Sequence, residues 1–558
     1  MKKLLCPSII FASIALVIAI LTVVSFIYPP AIFSDPAWGF LIWKSMQAGA
    51  GFNSLTVPDI HDISHSMSRF VAWWSPGQYL VPAVFRKMGF NLGQSLTITI
   101  SIFSILTIVG YYKVFIALGF SKLTSALSCA VIAFTGLFTM QFTTYSGGTI
   151  LLYGVTPWIM LASLRFMGIK PFHIPIFVLL FLFGVFFKHS FALSAVAILF
   201  SFFLYQYLKN MEFDFAKLFV YGIKILIPFF IFYAILYFGY TSLDLTPTDV
   251  ASSKFAEPLS PFRALMYGFV GPIYSFLSLS TLLANPLLME SLSLPEKFRL
   301  NLGLVIPFVI LTALMMWQIL RLPGLTLYKS HALGFLLTYG LFFTYFMVAG
   351  VDVGTGDRQF RPAGIMLIPG VIEVLRTYSI RPVKTASIAV LLIFSISGLY
   401  SVGYQMNVLR QLDNVGSLGF THQTISRRGI ALVRGLDSNI PPGNHLFYVS
   451  SPEIALEIKN NRVLSSQAMQ QPLEALEKLE LKGRTDNVIL FLEAALLDDG
   501  KADAILQSFV DYDFATWRSF SIDAKKEGTF IMFYQGSLSR GLDQMGRSIQ
   551  QESLLRTR

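Results

Sequence analysis

This 558-residue chain has little charge. Asp, Glu, Lys and Arg together make up 13% of it, while hydrophobic residues make up 54% and Phe alone occurs 52 times. A water-soluble domain cannot hide that much apolar surface, so the composition excludes a soluble globular protein and indicates a polytopic membrane protein. Its mean hydropathy of +0.63 agrees. Cysteine is almost absent: only Cys6 and Cys129 occur, both at or inside apolar runs, which excludes a disulfide framework. No Asn-x-Ser/Thr acceptor occurs, which favours a bacterial envelope over a secretory lumen. The net charge of +11 would suggest nucleic acid in a soluble protein. Here much of it lies in short loops between apolar runs, where topology and anionic lipid explain it, and no nucleic-acid partner is expected.

Apolar runs of bilayer-spanning length recur as far as residue 406. They lie near 8–29, 94–118, 123–141, 149–168, 173–187, 190–207, 217–239, 301–320, 331–350, 361–379 and 385–406, so about eleven transmembrane helices are expected. The pair at 173–187 and 190–207, joined by "FFKHS", is the one place where two spans and one broken span compete. "MKKLL" and the run after it resemble a signal peptide, but the run is long and "PPAIFSD" offers no cleavage site, so it reads as a retained first span. With the N-terminus in the cytoplasm, Lys2, Lys3, Lys122, Arg165, Lys170, Lys209, Lys217, Arg321, Lys329, Arg376, Arg381 and Lys384 all fall on the inner side. This frame places the chain in the inner (plasma) membrane and three long segments on its outer face: about 30–93, about 240–300, and everything after 407.

Residues 1–407 therefore read as a transmembrane module with outer loops 30–93 and 240–300. The second loop starts polar and turns amphipathic, as a segment lying on the membrane would. Residues 408–540 read as a small α/β domain. "NHLFYVSS", "DNVILFLE", "WRSFSID" and "TFIMFYQG" have strand patterning, and "PEIALEIKN", "PLEALEKLEL" and "KADAILQSFV" have helix patterning. Residues 541–558 are polar and read as a flexible tail.

The stretch "FSDPAWGFLIWKSMQAGAGFN" puts a carboxylate, Asp35, just after the first span. Asp35 and Pro36 suit a helix start, and the helix is expected to run to about Ala48 with Trp38, Leu41, Ile42 and Trp43 in the headgroup layer. Capping alone would explain Asp35, but a cap is also held rigidly, as a catalytic base must be. This order, continued by "RFVAWWSPGQYLVPAVF" and later by "DVGTGDRQFRPAGIMLIPGV", resembles the GT-C superfamily of integral-membrane glycosyltransferases. The likeness is to bacterial relatives of the protein mannosyltransferases and to the aminoarabinose and lipopolysaccharide-core transferases. It implies a GT-C-like fold and transfer of a sugar from a polyprenyl-phosphate donor to an acceptor glycan, lipid or protein at the outer face. Many relatives carry two adjacent acids where Asp35 is followed here by Pro36, which argues against a paired-acid or metal-assisted version.

The chemistry fits that implication. A carboxylate takes the acceptor proton, and the departing lipid phosphate needs fixed cations. Arg358, Arg361 and the Lys188–His189 pair, all at outer ends of spans, are the candidates, with interfacial anchoring or snorkelling as the plainer explanation. Trp73, Trp74 and Tyr79 are candidates for stacking on a sugar, although packing explains them too. No cofactor is required, but "PDIHDISHSMSRF" leaves room for a divalent metal: in a helix, His61 and His65 would share a face with Asp62 between them. A transporter or flippase of a lipid-linked glycan would need charges or broken helices at mid-membrane, and the spans carry almost none. A non-catalytic envelope-assembly scaffold, binding through the C-terminal module, stays open on sequence alone.

Overall fold

The computed structural model describes residues 6–32, 34–210, 215–243, 259–277, 302–350, 357–377, 381–412, 414–423, 425, 427–439, 445–465, 478–480, 487–493, 501–509, 518–523 and 529–536. The tail expected over 541–558 and most of "PLEALEKLEL" lie outside the described residues.

From the N-terminus, α1 (Pro7–Ile27) leads through the two-residue strand β1 (Ala31–Ile32) into α2 (Ser34–Gln47). A hairpin of β2 (Ser54–Asp59) and β3 (Asp62–Phe70) and the helix α3 (Gly77–Lys87) complete the first loop. Then follow α4 (Leu92–Ala117), α5 (Lys122–Phe134), α6 (Gly136–Thr139), β4 (Thr144–Tyr145), α7 (Thr149–Leu164), α8 (Ile174–Phe187), α9 (Phe191–Asn210) and α10 (Phe215–Gly239). After them come α11 (Pro261–Leu277), α12 (Leu302–Arg321), α13 (Thr326–Val348), α14 (Asp357–Thr377) and α15 (Arg381–Leu412).

Each apolar run contains a helix. Six of these helices (α1, α4, α9, α10, α13 and α15) are long and apolar enough to cross a membrane, while α5, α7, α8 and α12 are shorter apolar helices. The chain is a multi-pass membrane protein. The contested pair is two helices: α8 ends at Phe187, and α9 begins at Phe191 after a break at Lys188–Ser190.

The segment expected to lie on the membrane differs. α11 is inserted into the bundle, with Ala264, Val270, Ile273 and Phe276 buried against α13 and α14. Small residues permit this approach. A Cβ on Gly268 would meet the Gly340 carbonyl at 2.4 Å, so the backbones touch where a larger side chain would hold them apart.

The C-terminal part contains α16 (Arg427–Asn439), β5 (His445–Val449), α17 (Pro452–Ala455), β6 (Arg462–Ser465), β7 (Asn487–Glu493), α18 (Lys501–Ser508), β8 (Arg518–Asp523) and β9 (Thr529–Gly536). Its strands form one sheet in the order β6-β5-β7-β9-β8, parallel on the β6 side and antiparallel on the β8 side. All four stretches with strand patterning are strands, and β6 is a fifth. This sheet shares a core with the first loop: Ile63 of β3 is fully buried among Leu446, Tyr448 and Val488, and its N–H donates to the Glu480 carbonyl at 2.9 Å. The Arg462 guanidinium donates to Ser66 Oγ at 2.8 Å and to the His65 carbonyl.

Residues 414–423 strap three parts together. The Leu92 N–H donates to the Leu418 carbonyl at 2.8 Å, and Thr421 donates through Oγ1 to the Pro29 carbonyl at 2.6 Å. Behind the strap, Glu457 and His422 are both buried and pair at 2.9 Å. Burial pushes the Glu457 carboxyl up, but bonds from His422 and Ser417 outweigh it and hold the group below its ordinary value. The strap fixes the chain immediately before Asp35 against α4.

Candidate active site

Asp35 is the second residue of α2, in its first turn but inside the cap position, where its charge complements the helix dipole and Pro36 is tolerated. The start of α2 is set by pairing. β1 lies parallel to β4, with Ala31 opposite Thr144 and Ile32 opposite Tyr145, and the Tyr145 hydroxyl donates to the Gln78 carbonyl at the start of α3. Three separate stretches (29–36, 77–79 and 143–149) are thereby locked together.

From the far end of the chain, the first turn of α14 brings Arg358 to Asp35. Their side chains meet at 3.8 Å, Nη2 to Oδ2, and each is 37% exposed. Lys188, in the break between α8 and α9, completes the group. Its Nζ donates to Thr149 Oγ1 at 2.7 Å, and both Arg358 and Asp35 are near enough to influence its charge. Burial, reinforced by the Arg358 cation and opposed by Asp35, pushes the Lys188 amine down to about 7. Close backbone packing sets that position. A Cβ on Gly148 would lie 2.5 Å from the Phe187 carbonyl and 3.0 Å from Lys188 Cβ, and the Gly148 N–H donates to Gln78 Oε1 at 3.3 Å. A carboxylate and two basic groups, drawn from three distant parts of the sequence, thus share one half-exposed locus.

No protein-family model matches the chain, and no curated protein matches it in sequence. In structure it is similar to the crystal structure of ArnT from Cupriavidus metallidurans bound to undecaprenyl phosphate. That likeness has a TM-score of 0.50 at 9% identity and covers 94% of this chain and 97% of that one. This chain shares the fold of that ArnT structure. Two weaker likenesses have TM-scores of 0.42. One is to the arabinofuranosyltransferase AftD from mycobacteria (12% identity, 94% of this chain and 40% of that one). The other is to the archaeal oligosaccharyltransferase AglB from Archaeoglobus fulgidus in complex with an inhibitory peptide and a dolichol-phosphate (10% identity, 93% and 73%).

Within this fold, other residues singled out from the sequence lie elsewhere or serve differently. Arg361 is one helical turn from Arg358 but only 1% exposed; its guanidinium donates to the Ser275 carbonyl of α11 and to Thr135 Oγ1 beyond α5, so it ties helices together. His189 packs edge-on against Tyr240 at 5.4 Å. Burial pushes its imidazole down to about 4, opposed by a hydrogen bond with the Trp73 backbone, and this favours the neutral ring over a phosphate-binding cation. Tyr79 is fully buried, its hydroxyl bonded to Asn53 Oδ1, and it packs the floor of the first loop rather than facing a sugar. Trp73 is 49% exposed and packs at a right angle against half-buried Trp74, so of the three aromatics it is the most accessible.

The expected His61–His65 helix is instead the β2–β3 hairpin, with His61 in its turn. Asp59 Oδ1 accepts the His61 N–H at 3.0 Å, a local bond that favours a turn over a helix. Asp62 accepts both the N–H and the hydroxyl of Ser64, and His65 is largely exposed, 3.7 Å from Asp62. Among the described residues no three His, Cys, Asp or Glu side chains converge as a metal ion would need, and no step below uses one. Gln78 and Thr149, which position the locus, carried no signal in the sequence.

Proposed function

We propose that this protein is a glycosyltransferase of the inner membrane that moves a sugar from a polyprenyl-phosphate donor to an acceptor at the outer face. The observation that carries the reading is the meeting of Asp35 with Arg358 at 3.8 Å, with Lys188 alongside. The ArnT structure, which shares the fold, holds undecaprenyl phosphate, a lipid of the donor's class, and this supports the reading. In this orientation the N-terminus is cytoplasmic, and the C-terminal sheet stands outside the membrane as a small α/β domain.

Asp35 accepts the proton of the acceptor hydroxyl as its oxygen attacks the anomeric carbon. The bond from that carbon to the phosphate oxygen breaks, and the leaving polyprenyl phosphate keeps the electron pair. Arg358 and protonated Lys188 stabilise the added charge. The guanidinium can grip two phosphate oxygens at once, and one fixed donor of this kind lowers a barrier by about 3 kcal/mol. The direct test follows polyprenyl phosphate release from short-chain polyprenyl-phosphate sugars by the purified protein. No release from any donor would overturn the reading.

Lys188 gives it a pH signature. With its amine at about 7, the cation is present below that pH and lost above it. The donor phosphodiester stays anionic across this range, so kcat/KM for the donor should fall as pH rises through about 7. Lys188→Arg should remove that alkaline limb, because a guanidinium keeps its proton. The shape of the profile is what counts; the same limb in the variant would exclude Lys188 as its origin.

Packing gives a second check. Gly148→Ala puts a methyl group into the Phe187 carbonyl and the base of Lys188. A displacement on the order of 1 Å costs about a hundredfold in rate, so release should drop by that order while thermal unfolding shows a folded protein. An unchanged rate would mean that the position of Lys188 does not matter.

A further inference from the structure

Beyond Asp35 along α2 lies a cavity of about 220 Å³, enclosed by α2, the β2–β3 hairpin and the edge strand β6 of the C-terminal sheet. At roughly 30 Å³ per water it has space for about seven waters, or for a sugar ring in their place. Three cationic side chains border it: Lys44, Lys459 and Arg462. Trp38, Asn461 and Ser465 line it too, and each carries a buried polar atom (Nε1, Oδ1 and Oγ) with no hydrogen-bond partner among the described residues.

Buried polar atoms are nearly always satisfied, and an orphan costs free energy. Between them Trp38, Asn461 and Ser465 supply one N–H donor, one carbonyl acceptor and one hydroxyl that serves either way. Asn461 is not free to turn and satisfy itself. Its residue is only 9% exposed, and its Nδ2 is held by the Asp437 carbonyl at 3.1 Å and Oδ1 at 3.0 Å. The neighbouring acids are already committed: the Asp437 carboxylate takes the backbone N–H groups of Lys459, Asn460 and Asn461, and Glu457 is paired with His422. No carboxylate is among the residues that line the cavity, so its lining is cationic, while Asp437 and Asp62 lie close enough to act on Lys44 and Arg462 from behind it. Trp38 contributes a ring and is one turn from Asp35 on the same helix, a rise of about 4.5 Å.

The geometry points to a binding site for an anionic sugar, whose hydroxyls meet the orphaned atoms and whose acid group meets Lys459 and its cationic neighbours. On the transfer reading above, this sugar belongs to the acceptor, docked beside the base. The site explains why the C-terminal sheet is joined to the first loop: acceptor recognition needs both walls.

Calorimetric titration of the full-length protein in detergent tests this with four probes: glucose 6-phosphate, glucuronate, glucose and inorganic phosphate. At least one acidic sugar should bind, tenfold or more tightly than either glucose or phosphate, and the tighter of the two identifies the acid as phosphate or carboxylate. Lys459→Gln, an exposed change, should weaken the acidic sugar about fivefold and leave glucose unaffected. Trp38→Phe should weaken the sugars and leave phosphate unaffected. The inference is overturned if phosphate alone binds as well as the sugar phosphate, if glucose matches the acidic sugars, or if Lys459→Gln and Trp38→Phe bind normally. Acidic-sugar binding without polyprenyl phosphate release would keep the site and remove the transferase reading. Asp35-dependent release without acidic-sugar binding would do the reverse.

Discussion

Asp35→Asn is expected to lower the rate of polyprenyl phosphate release by about 10² to 10⁴, the range for losing a general base. The fold should survive. Asp35 is 37% exposed, its contact with Arg358 is a long 3.8 Å, and Asn is also accepted at helix starts. The charge it gives up at the start of α2 is worth about 0.3–1 kcal/mol of stability, a loss too small to unfold the loop. The kinetic pattern separates chemistry from damage. A base acts on the acceptor proton in the transition state, so kcat should fall while the donor KM stays level. KM should even decrease if Arg358, freed of its partner, grips the donor phosphate more tightly. Collapse of the first loop would raise KM and loosen the neighbouring cavity together. Equal release from both proteins removes Asp35 as the base.

What the sequence revealed, and where it misled, follows from the range of the forces involved. Apolar runs are local, and each one holds a helix. Strand patterning in "NHLFYVSS" and "TFIMFYQG" is local too, and became β5 and β9. Asp35 and Arg358 could be singled out as charges at the ends of spans, although capping and anchoring explain such charges too, and the fold brings the two within 3.8 Å of each other. Arg361 shows the limit of that argument. Three residues from Arg358, it has the same chemistry and nearly the same depth, yet one turn of α14 places it inside the bundle against Ser275 and Thr135. Which side of a helix faces the protein depends on α11, and the insertion of α11 depends on contacts such as Gly268 against Gly340, between residues far apart in sequence. The hairpin was misread for another reason. His61 and His65 suit a helix face by spacing, but Asp59 and Asp62 bond to the backbone beside them and turn the chain first. The cavity bordered by Trp38 and Asn461 left no sequence trace, because its walls come from the first loop and from β6, and only the folded contact of Arg462 with His65 and Ser66 brings them together.

Arg358→Gln sets stability against rate most sharply. An ion pair as exposed as Asp35–Arg358 contributes about 0–1 kcal/mol, because solvent screens it and two side chains must be held still. If stability were its purpose, the substitution would shift thermal unfolding slightly and leave turnover alone. If the guanidinium meets the leaving phosphate, about 3 kcal/mol of transition-state stabilisation is lost, a drop of about 10² to 10³ in kcat, again with little change in unfolding. The second outcome is expected. Arg358→Lys should recover only part of the rate, since an ammonium keeps the charge but not the two-point grip. Combining Arg358→Gln with Asp35→Asn should cost less than the product of the single losses, because base and cation act on one transition state and each is of little use without the other. Full multiplicativity would mean that the two residues act on separate steps. A normal rate in Arg358→Gln would leave Lys188 as the only basic group of this locus available to the phosphate, and would reduce the Asp35 contact to an anchor for the first turn of α14.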